Sequence, residues 1–313
     1  MRLLFIADPL ESFKTYKDST YAMMVEAARR GHTLYAMLAE DLAWRAGHVQ
    51  GHCHPLALTG EDPWFAYGHD AWLVLSYFDA VLMRKDPPFD QAYLTATWLL
   101  EMGERQGARV FNRPRALRDF NEKLAIARFA EFIAPTLVTR DMDAIRVFLA
   151  EQGDIIVKPL DAMGCAGVFR LRPGDANLNA ILETATRYGG VTIMAQRYLP
   201  QIVDGDKRVL VIDGEVVPYA LARIPAEGET RGNLAAGGTG VARPLTTRDR
   251  EIAAALGPVL KENGILLAGL DVIGACLTEV NVTSPTCFRE ITQQTGFDVA
   301  GMFLDAVERA TRR

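Results

Sequence analysis

The sequence predicts an α/β fold of Rossmann-like character at the N-terminus that gives way to α+β. Three observations carry this. The chain opens strand–helix–strand, which calls for a parallel sheet. After about residue 120 the strands become denser and read as antiparallel. The 313 residues exceed the usual size of one domain, roughly 100–200 residues, so two or three are expected.

Leu3–Ala7 is a short apolar strand that ends at Asp8-Pro9. Asp18-Ser19-Thr20 caps a helix running to Arg29-Arg30, with Gly31 as its stop. Thr33–Leu38 and Asp79–Arg84 are further strands, Gln91–Gln106 a helix and Arg109–Phe111 a strand. Asn121–Phe132 reads as a helix. The strands Thr136–Thr139, Asp154–Lys158, Val168–Leu171, Thr192–Gln196, Arg208–Ile212 and Glu215–Ala222 follow. The helices Met142–Glu151 and Leu178–Tyr188 interrupt them. Asp213-Gly214 is a strong hairpin turn. The C-terminal part predicts helix Asp249–Asn263, strands Leu266–Ile273 and Leu277–Asn281, and helix Asp298–Ala310. Ala226–Gly240 holds five glycines in fifteen residues and is expected to be a long functional loop, an active-site lid.

Composition excludes several classes. The residues are 49% hydrophobic and 23% charged, which suits a globular chain. The net charge of −5 argues against broad binding to nucleic acid or an acidic membrane, though not against a local phosphate pocket. No run of 18 apolar residues exists, so no membrane span is expected. The first residues read as a strand rather than a leader. Cys53, Cys165, Cys276 and Cys287 include no C-x-x-C pair and look like reduced thiols, consistent with a cytoplasmic protein.

Asp271, Glu279 and Asn281 sit on two short strands joined by a Gly-Ala turn. Glu279 and Asn281 share a face, and Asp271 reaches them from the neighbouring strand. Two carboxylates and an amide oxygen suit Mg²⁺ held together with phosphates. The alternative is the polar face of a surface hairpin, but the apolar neighbours Leu270, Val272, Val280 and Val282 weigh against it. Lys158 ends the apolar strand IIVKP, where a charge is costly unless it faces an anion. Lys123, taken alone, reads as exposed. Asp161–Gly167 (DAMGCAG) is either a phosphate cradle or a tight turn. Arg208 and Arg223 flank the Asp213-Gly214 turn and either hold a carboxylate in one cleft or are solvated. His48, Gln50, His52 and His54 alternate with Cys53 opposite. A metal site is conceivable, but the outer face of a hairpin after Gly47 is the preferred reading, since no carboxylate completes the set.

Together these pieces resemble the ATP-grasp ligases, and among them the bacterial glutathione synthetases, over nearly the whole chain. The segments that carry the resemblance are KDSTYAMM (17–24), LMRKDPPFD (82–90), RDFNEKL (118–124), IIVKPLDAMG (155–164), MAQRYLP (194–200), DGDKRVLVIDGEVVPYALARIP (204–225), GETRGNLAAGGTG (228–240) and LDVIGACLTEVNVTSPT (270–286). The resemblance implies a Rossmann-like substrate domain (1–122), an ATP-grasp lid subdomain (123–195) and an ATP-grasp core (196–313). It implies ATP-dependent joining of γ-glutamylcysteine to glycine. A related ligase with another acceptor amino acid, or a non-catalytic ATP-binding regulator, are the alternatives. The complete metal set argues against the regulator.

The resemblance also implies roles. Lys123 and Lys158 bind ATP phosphates beside Gly164 and Gly167. Gln196, Tyr198 and Leu199 line the adenine pocket, and Asp206 meets the ribose. Asp271, Glu279 and Asn281 hold two Mg²⁺ ions, for which Mn²⁺ can substitute. Arg208, Arg223 and Arg231 stabilise the transferring phosphate, with Arg223 also on the substrate carboxylate. Lys17, Asp18, Ser19, Arg84, Ser284, Pro285 and Thr286 form the substrate side, and a homo-oligomer is expected. Two departures stand out. Ala162 and Cys165 replace glycines of the small loop, and Thr239 replaces an arginine at the end of the lid. A thiol at Cys165 would lie near the nucleotide and is read as a volume filler. A nicotinamide dehydrogenase is excluded, because DPLESFK follows the first strand where a glycine fingerprint belongs.

Overall fold

The computed structural model describes residues 1–161, 166–226 and 237–312, and its strands form three sheets. The first begins with β1 (Arg2–Ile6), whose Leu3–Ile6 stretch is fully buried. The Asp18 carboxylate accepts from the Tyr21 N–H at 2.7 Å and caps α1 (Ser19–Arg29). Gly31, at φ +76°, lets the chain leave the helix. β2 (Thr33–Met37) then lies parallel to β1, as the strand–helix–strand start requires. β3 (Leu42–Arg45) and β4 (His48–Leu58) form a hairpin across Ala46 and Gly47, both with positive φ. β5 (Phe65–Tyr67) and β6 (Ala71–Val74) pair with β4. β7 (Ala80–Met83) pairs with the other side of β1, and after α2 (Gln91–Arg105), β8 (Val110–Phe111) joins β7. α3 (Pro114–Asp119) closes this part.

The histidine row of β4 has the expected alternation. Val49, Gly51 and Cys53 are buried, and His48, Gln50, His52 and His54 face outward. The expectation that no carboxylate stands beside them needs correction: Asp70 Oδ2 lies 2.5 Å from His52 Nε2.

Asn121–Phe132 is not a regular α-helix. Leu124–Phe132 winds as 3₁₀ turns and departs from helical φ/ψ at Phe129 while burying Ala125, Ile126, Phe129 and Phe132. The second sheet follows: β9 (Thr136–Thr139), α4 (Met142–Gln152), β10 (Ile155–Pro159), β11 (Phe169–Leu171), α5 (Leu178–Thr186) and β12 (Ile193–Arg197). Its order is β11-β10-β12-β9, antiparallel throughout. A small core of Ile145, Leu149, Ile155, Val157, Leu182 and Ile193 joins the two helices to it.

The third sheet carries most of the site. β13 (Asp206–Ile212) and β14 (Glu215–Ile224) turn at Asp213-Gly214, both in the left-handed region, as predicted. β15 (Thr239–Pro244) adds to β14 and was not anticipated, so Thr239 and Gly240 of the expected lid Ala226–Gly240 are strand, while its residues 227–236 lie outside the described ones. α6 (Thr247–Glu262) starts from a reciprocal Thr246–Asp249 capping box. β16 (Leu267–Ile273), β17 (Cys276–Asn281), α7 (Phe288–Thr295) and α8 (Val299–Thr311) complete the chain. The sheet order is β15-β14-β13-β16-β17.

Candidate active site

A cavity of about 600 Å³ lies between the second and third sheets and extends to the N-terminus of α1. The β-ladders fix its charged floor. Arg208 on β13 is opposite Asp271 on β16, and Asp206 on β13 is opposite Arg223 on β14. Arg208 Nε donates to Asp271 Oδ1 at 2.6 Å and Nη2 to Oδ2 at 3.2 Å. Arg223 Nη2 lies 2.9 Å from Asp271 Oδ2 and 2.5 Å from Asp206 Oδ2. The two arginines therefore share one cleft, and both are buried. Gly269 makes room for this: a Cβ there would stand 2.8 Å from Arg208 Cδ.

Burial would raise the Asp271 carboxyl, but Arg208 and Arg223 outweigh it and hold the group well below its usual range. Asp206 goes the other way. Burial dominates, Arg223 opposes it, and the group is pushed up to about 6. Its Oδ1 is buried without a hydrogen-bond partner.

Glu279 on β17 is paired in register with Asp271. Its Oε1 lies 3.7 Å from both Lys123 Nζ and Lys158 Nζ. Lys158 also donates to the Thr278 carbonyl at 3.2 Å, and burial lowers its pKa against the pull of Glu279. Lys123 is buried, not exposed as its sequence position alone suggested. Asn281 Nδ2 donates to the Gly269 carbonyl at 3.2 Å, which leaves the amide oxygen as the available acceptor. Asp271, Glu279 and Asn281 all line the cavity, so their hard oxygen donors suit a divalent cation. Among the described residues no three acidic, histidine or cysteine side chains are placed to hold a metal ion by themselves, so the third donor here would be the amide.

Part of the lining is more apolar, with Ile156, Gln196, Tyr198, Leu199, Ile202 and Ile273. Gln196 Nε2 donates to Thr136 Oγ1 at 3.0 Å, and the Arg170 guanidinium lies 3.5 Å over the Tyr198 ring. Gly167 takes φ +70° between the cavity-lining Ala166 and Val168. Gly164, Arg231, Ala162 and Cys165 lie outside the described residues.

Lys17, Asp18, Ser284, Pro285 and Thr286 line the far end. Ser19 and Arg84 stand behind that wall. Ser19 Oγ accepts from Phe288 N–H at 3.1 Å. Arg84, fully buried, donates to Thr20 Oγ1 at 3.1 Å and to the Pro285 carbonyl at 2.9 Å. Sequence reasoning missed Glu122 and Glu290, both on the wall. Glu122 lies in RDFNEKL beside Lys123, and only its chain neighbours marked it.

Cavity and sheets together define an ATP-grasp ligase. The model of the prokaryotic glutathione synthetase N-terminal domain matches residues 1–118, and that of the prokaryotic glutathione synthetase ATP-grasp domain matches residues 122–296. The chain belongs to the prokaryotic glutathione synthetase family. It is 62% identical to a glutathione synthetase of Ralstonia nicotianae over 311 residues, 99% of this chain and 96% of that one. The corresponding protein of Neisseria meningitidis serogroup A is 60% identical over 98% of both chains. That of Pseudomonas aeruginosa is 53% identical over 98% of this chain and 97% of its own. Among solved structures, the D-cycloserine synthetase DcsG superposes with a TM-score of 0.70 at 19% identity, covering 99% of each chain. The ATP-grasp ligase PsnB, complexed with minimal precursor, Mg and ADP, superposes with a TM-score of 0.63 at 19% identity, covering 100% of this chain and 98% of that one. These two establish the fold. Among the described residues no helix is long and apolar enough to cross a membrane.

Proposed function

We propose that the protein joins γ-glutamylcysteine to glycine, with ATP cleaved to ADP and phosphate and glutathione as product. The observation that carries this is the register-locked Asp271–Glu279 pair, with Arg208, Arg223, Lys123 and Lys158 around it, in a chain of this family.

A carboxylate is a poor acyl donor. The cysteinyl carboxylate attacks the γ-phosphorus of ATP, the bond to the β-phosphate oxygen breaks, and an acyl phosphate forms. The glycine amine, having lost a proton, attacks the acyl carbon, and phosphate leaves. Lys123 and Lys158 neutralise the phosphates, with Gly164 and Gly167 assigned to the same phosphates. Gln196, Tyr198 and Leu199 hold the adenine and Asp206 the ribose. Arg208, Arg223 and Arg231 meet the charge on the transferring group and the substrate carboxylate. Lys17, Asp18, Ser284, Pro285 and Thr286 receive the peptide, with Ser19 and Arg84 bracing them. Asp271, Glu279 and Asn281 hold two Mg²⁺ ions, or Mn²⁺, which when bound supply Lewis acidity at the phosphate oxygens.

The test is to incubate the protein with ATP, Mg²⁺ and γ-glutamylcysteine and a panel of amino acids, measuring ADP and product together. Equal amounts of ADP and glutathione, with glycine the best acceptor, are expected. ADP release without peptide, or a different preferred acceptor, would overturn the assignment.

A further inference from the structure

Glu290 sits in the first turn of α7 and lines the cavity at the end remote from the adenine wall. Its Oε2 is buried and has no hydrogen-bond partner. Few carboxylate oxygens in a folded chain are left so, because an unmet buried charge is costly. Burial accordingly raises the pKa of this group, although Lys17 and Arg289 lie close enough to favour its charged form. Neither lysine nor arginine closes on it: no ion pair joins Glu290 to another described residue. The Arg289 guanidinium is instead placed 5.4 Å over the Tyr21 ring.

The surroundings indicate what the missing donor is. Asp18 lines the same end of the cavity, held there because its carboxylate caps α1. Ser19 Oγ accepts from Phe288 N–H, which ties the start of α1 to the start of α7 and fixes Asp18 and Glu290 on one wall. Lys14 and Lys17 line this end as well. Carboxylates and ammoniums side by side fit a zwitterion rather than a simple anion. The γ-glutamyl end of the donor peptide is one: its α-carbon bears both an ammonium and a carboxylate, and the γ-linkage leaves both free.

We propose that Glu290 is a specificity residue that accepts a hydrogen bond from the α-ammonium of the γ-glutamyl group. It thereby makes the enzyme favour an acyl donor that carries this free ammonium over one that lacks it. The assignment rests on the ligase reading above. An ammonium has three donors and a full charge, and it fills the vacancy at Oε2 without displacing an existing bond.

Two donors separate the possibilities: γ-glutamylcysteine and glutarylcysteine, which keeps both carboxylates and lacks only the amine. Wild-type enzyme should prefer γ-glutamylcysteine. Glu290→Gln should lower kcat/KM for γ-glutamylcysteine by about 10- to 100-fold, the scale of a hydrogen bond to a charged group. It should leave glutarylcysteine turnover within about threefold. Glu290→Asp should recover part of the preference, and unchanged thermal unfolding of both variants excludes misfolding. Equal losses on both donors, or a wild type that does not distinguish them, would overturn the assignment and leave the ligase reading standing. A wild type that ligates neither donor would overturn the ligase reading. Calorimetric binding of the two compounds to wild type and Glu290→Gln then decides Glu290 by the same ratio.

Discussion

Asp271 and Glu279 face each other across the β16–β17 ladder, yet they answer to different cations. Asp271 is clasped by two buried guanidiniums, whereas Glu279 is a quarter exposed and stands 3.7 Å from two lysine ammoniums. The short, bidentate contacts tie Asp271 into the fold as well as into the cavity. The longer, wetter contacts leave Glu279 able to exchange partners when a ligand enters.

Glu279→Gln should therefore cost activity and little stability. Losing a ligand of a charge-neutralising ion removes several kcal/mol of transition-state stabilisation, on the order of 100-fold or more in kcat. Glu279 is a quarter exposed and its contacts to the two lysines are long, at 3.7 Å, which limits the cost to the fold. Product formation and thermal unfolding measured on the same preparation check this. An active variant with an unaltered Mg²⁺ requirement would remove Glu279 from the site.

Asp271→Asn should do the reverse to stability. It leaves Arg208 buried without its carboxylate and Arg223 with Asp206 alone, and breaking a buried pair typically costs about 3–5 kcal/mol. The pH dependence has a definite sign. The folded pKa of Asp271 is depressed, so its contribution is present above the unfolded value near 3.9 and is lost as pH falls through the folded one. Denaturant titrations should show the wild-type advantage over Asp271→Asn at pH 7 shrinking in acid. An advantage that does not change with pH would show that the ion pair does not provide it.

Asp206 predicts the opposite slope. Its folded pKa of about 6 lies above the unfolded value, so its contribution is full below about pH 4 and lost as pH rises through 6. The stability of wild type relative to Asp206→Asn should fall by on the order of 2 kcal/mol between pH 4 and pH 7. Parallel unfolding curves for the two proteins across that range would contradict the assigned environment.

Much of this arrangement was legible in the sequence because it rests on local rules. Asp18 capping α1, the left-handed Asp213-Gly214 turn and the two-residue spacing of Glu279 and Asn281 each need only a few neighbouring residues. The missed elements depend on distant partners. β15 is a strand because β14 offers it an edge, and its own sequence, TGVARP, has little strand character. α7 starts at Cys287, a non-glycine residue at φ +88°, where no capping side chain announces it. Lys123 looked exposed because its burial comes from β17, more than 150 residues away. Glu122 was overlooked for the same reason.

Glu122 supplies the remaining prediction. Its Oε1 accepts from Val282 N–H at 3.1 Å, Thr283 N–H at 3.2 Å and Thr283 Oγ1 at 2.7 Å, while its carbonyl accepts from Val280 N–H. One side chain thus anchors the exit of β17 just ahead of Ser284, Pro285 and Thr286, which line the far end of the cavity. Glu122→Ala strands two N–H groups that are shielded from water, each costing about 1–3 kcal/mol. Glu122→Gln keeps one oxygen and should lose less. Because the loosened segment lies at the end of the cavity proposed to receive the peptide, KM for γ-glutamylcysteine should rise about tenfold in Glu122→Gln, with KM for ATP held near the wild-type value. Steady-state kinetics with each substrate varied in turn can separate the two. A variant that loses stability while both KM values stay fixed would confine Glu122 to holding the fold together.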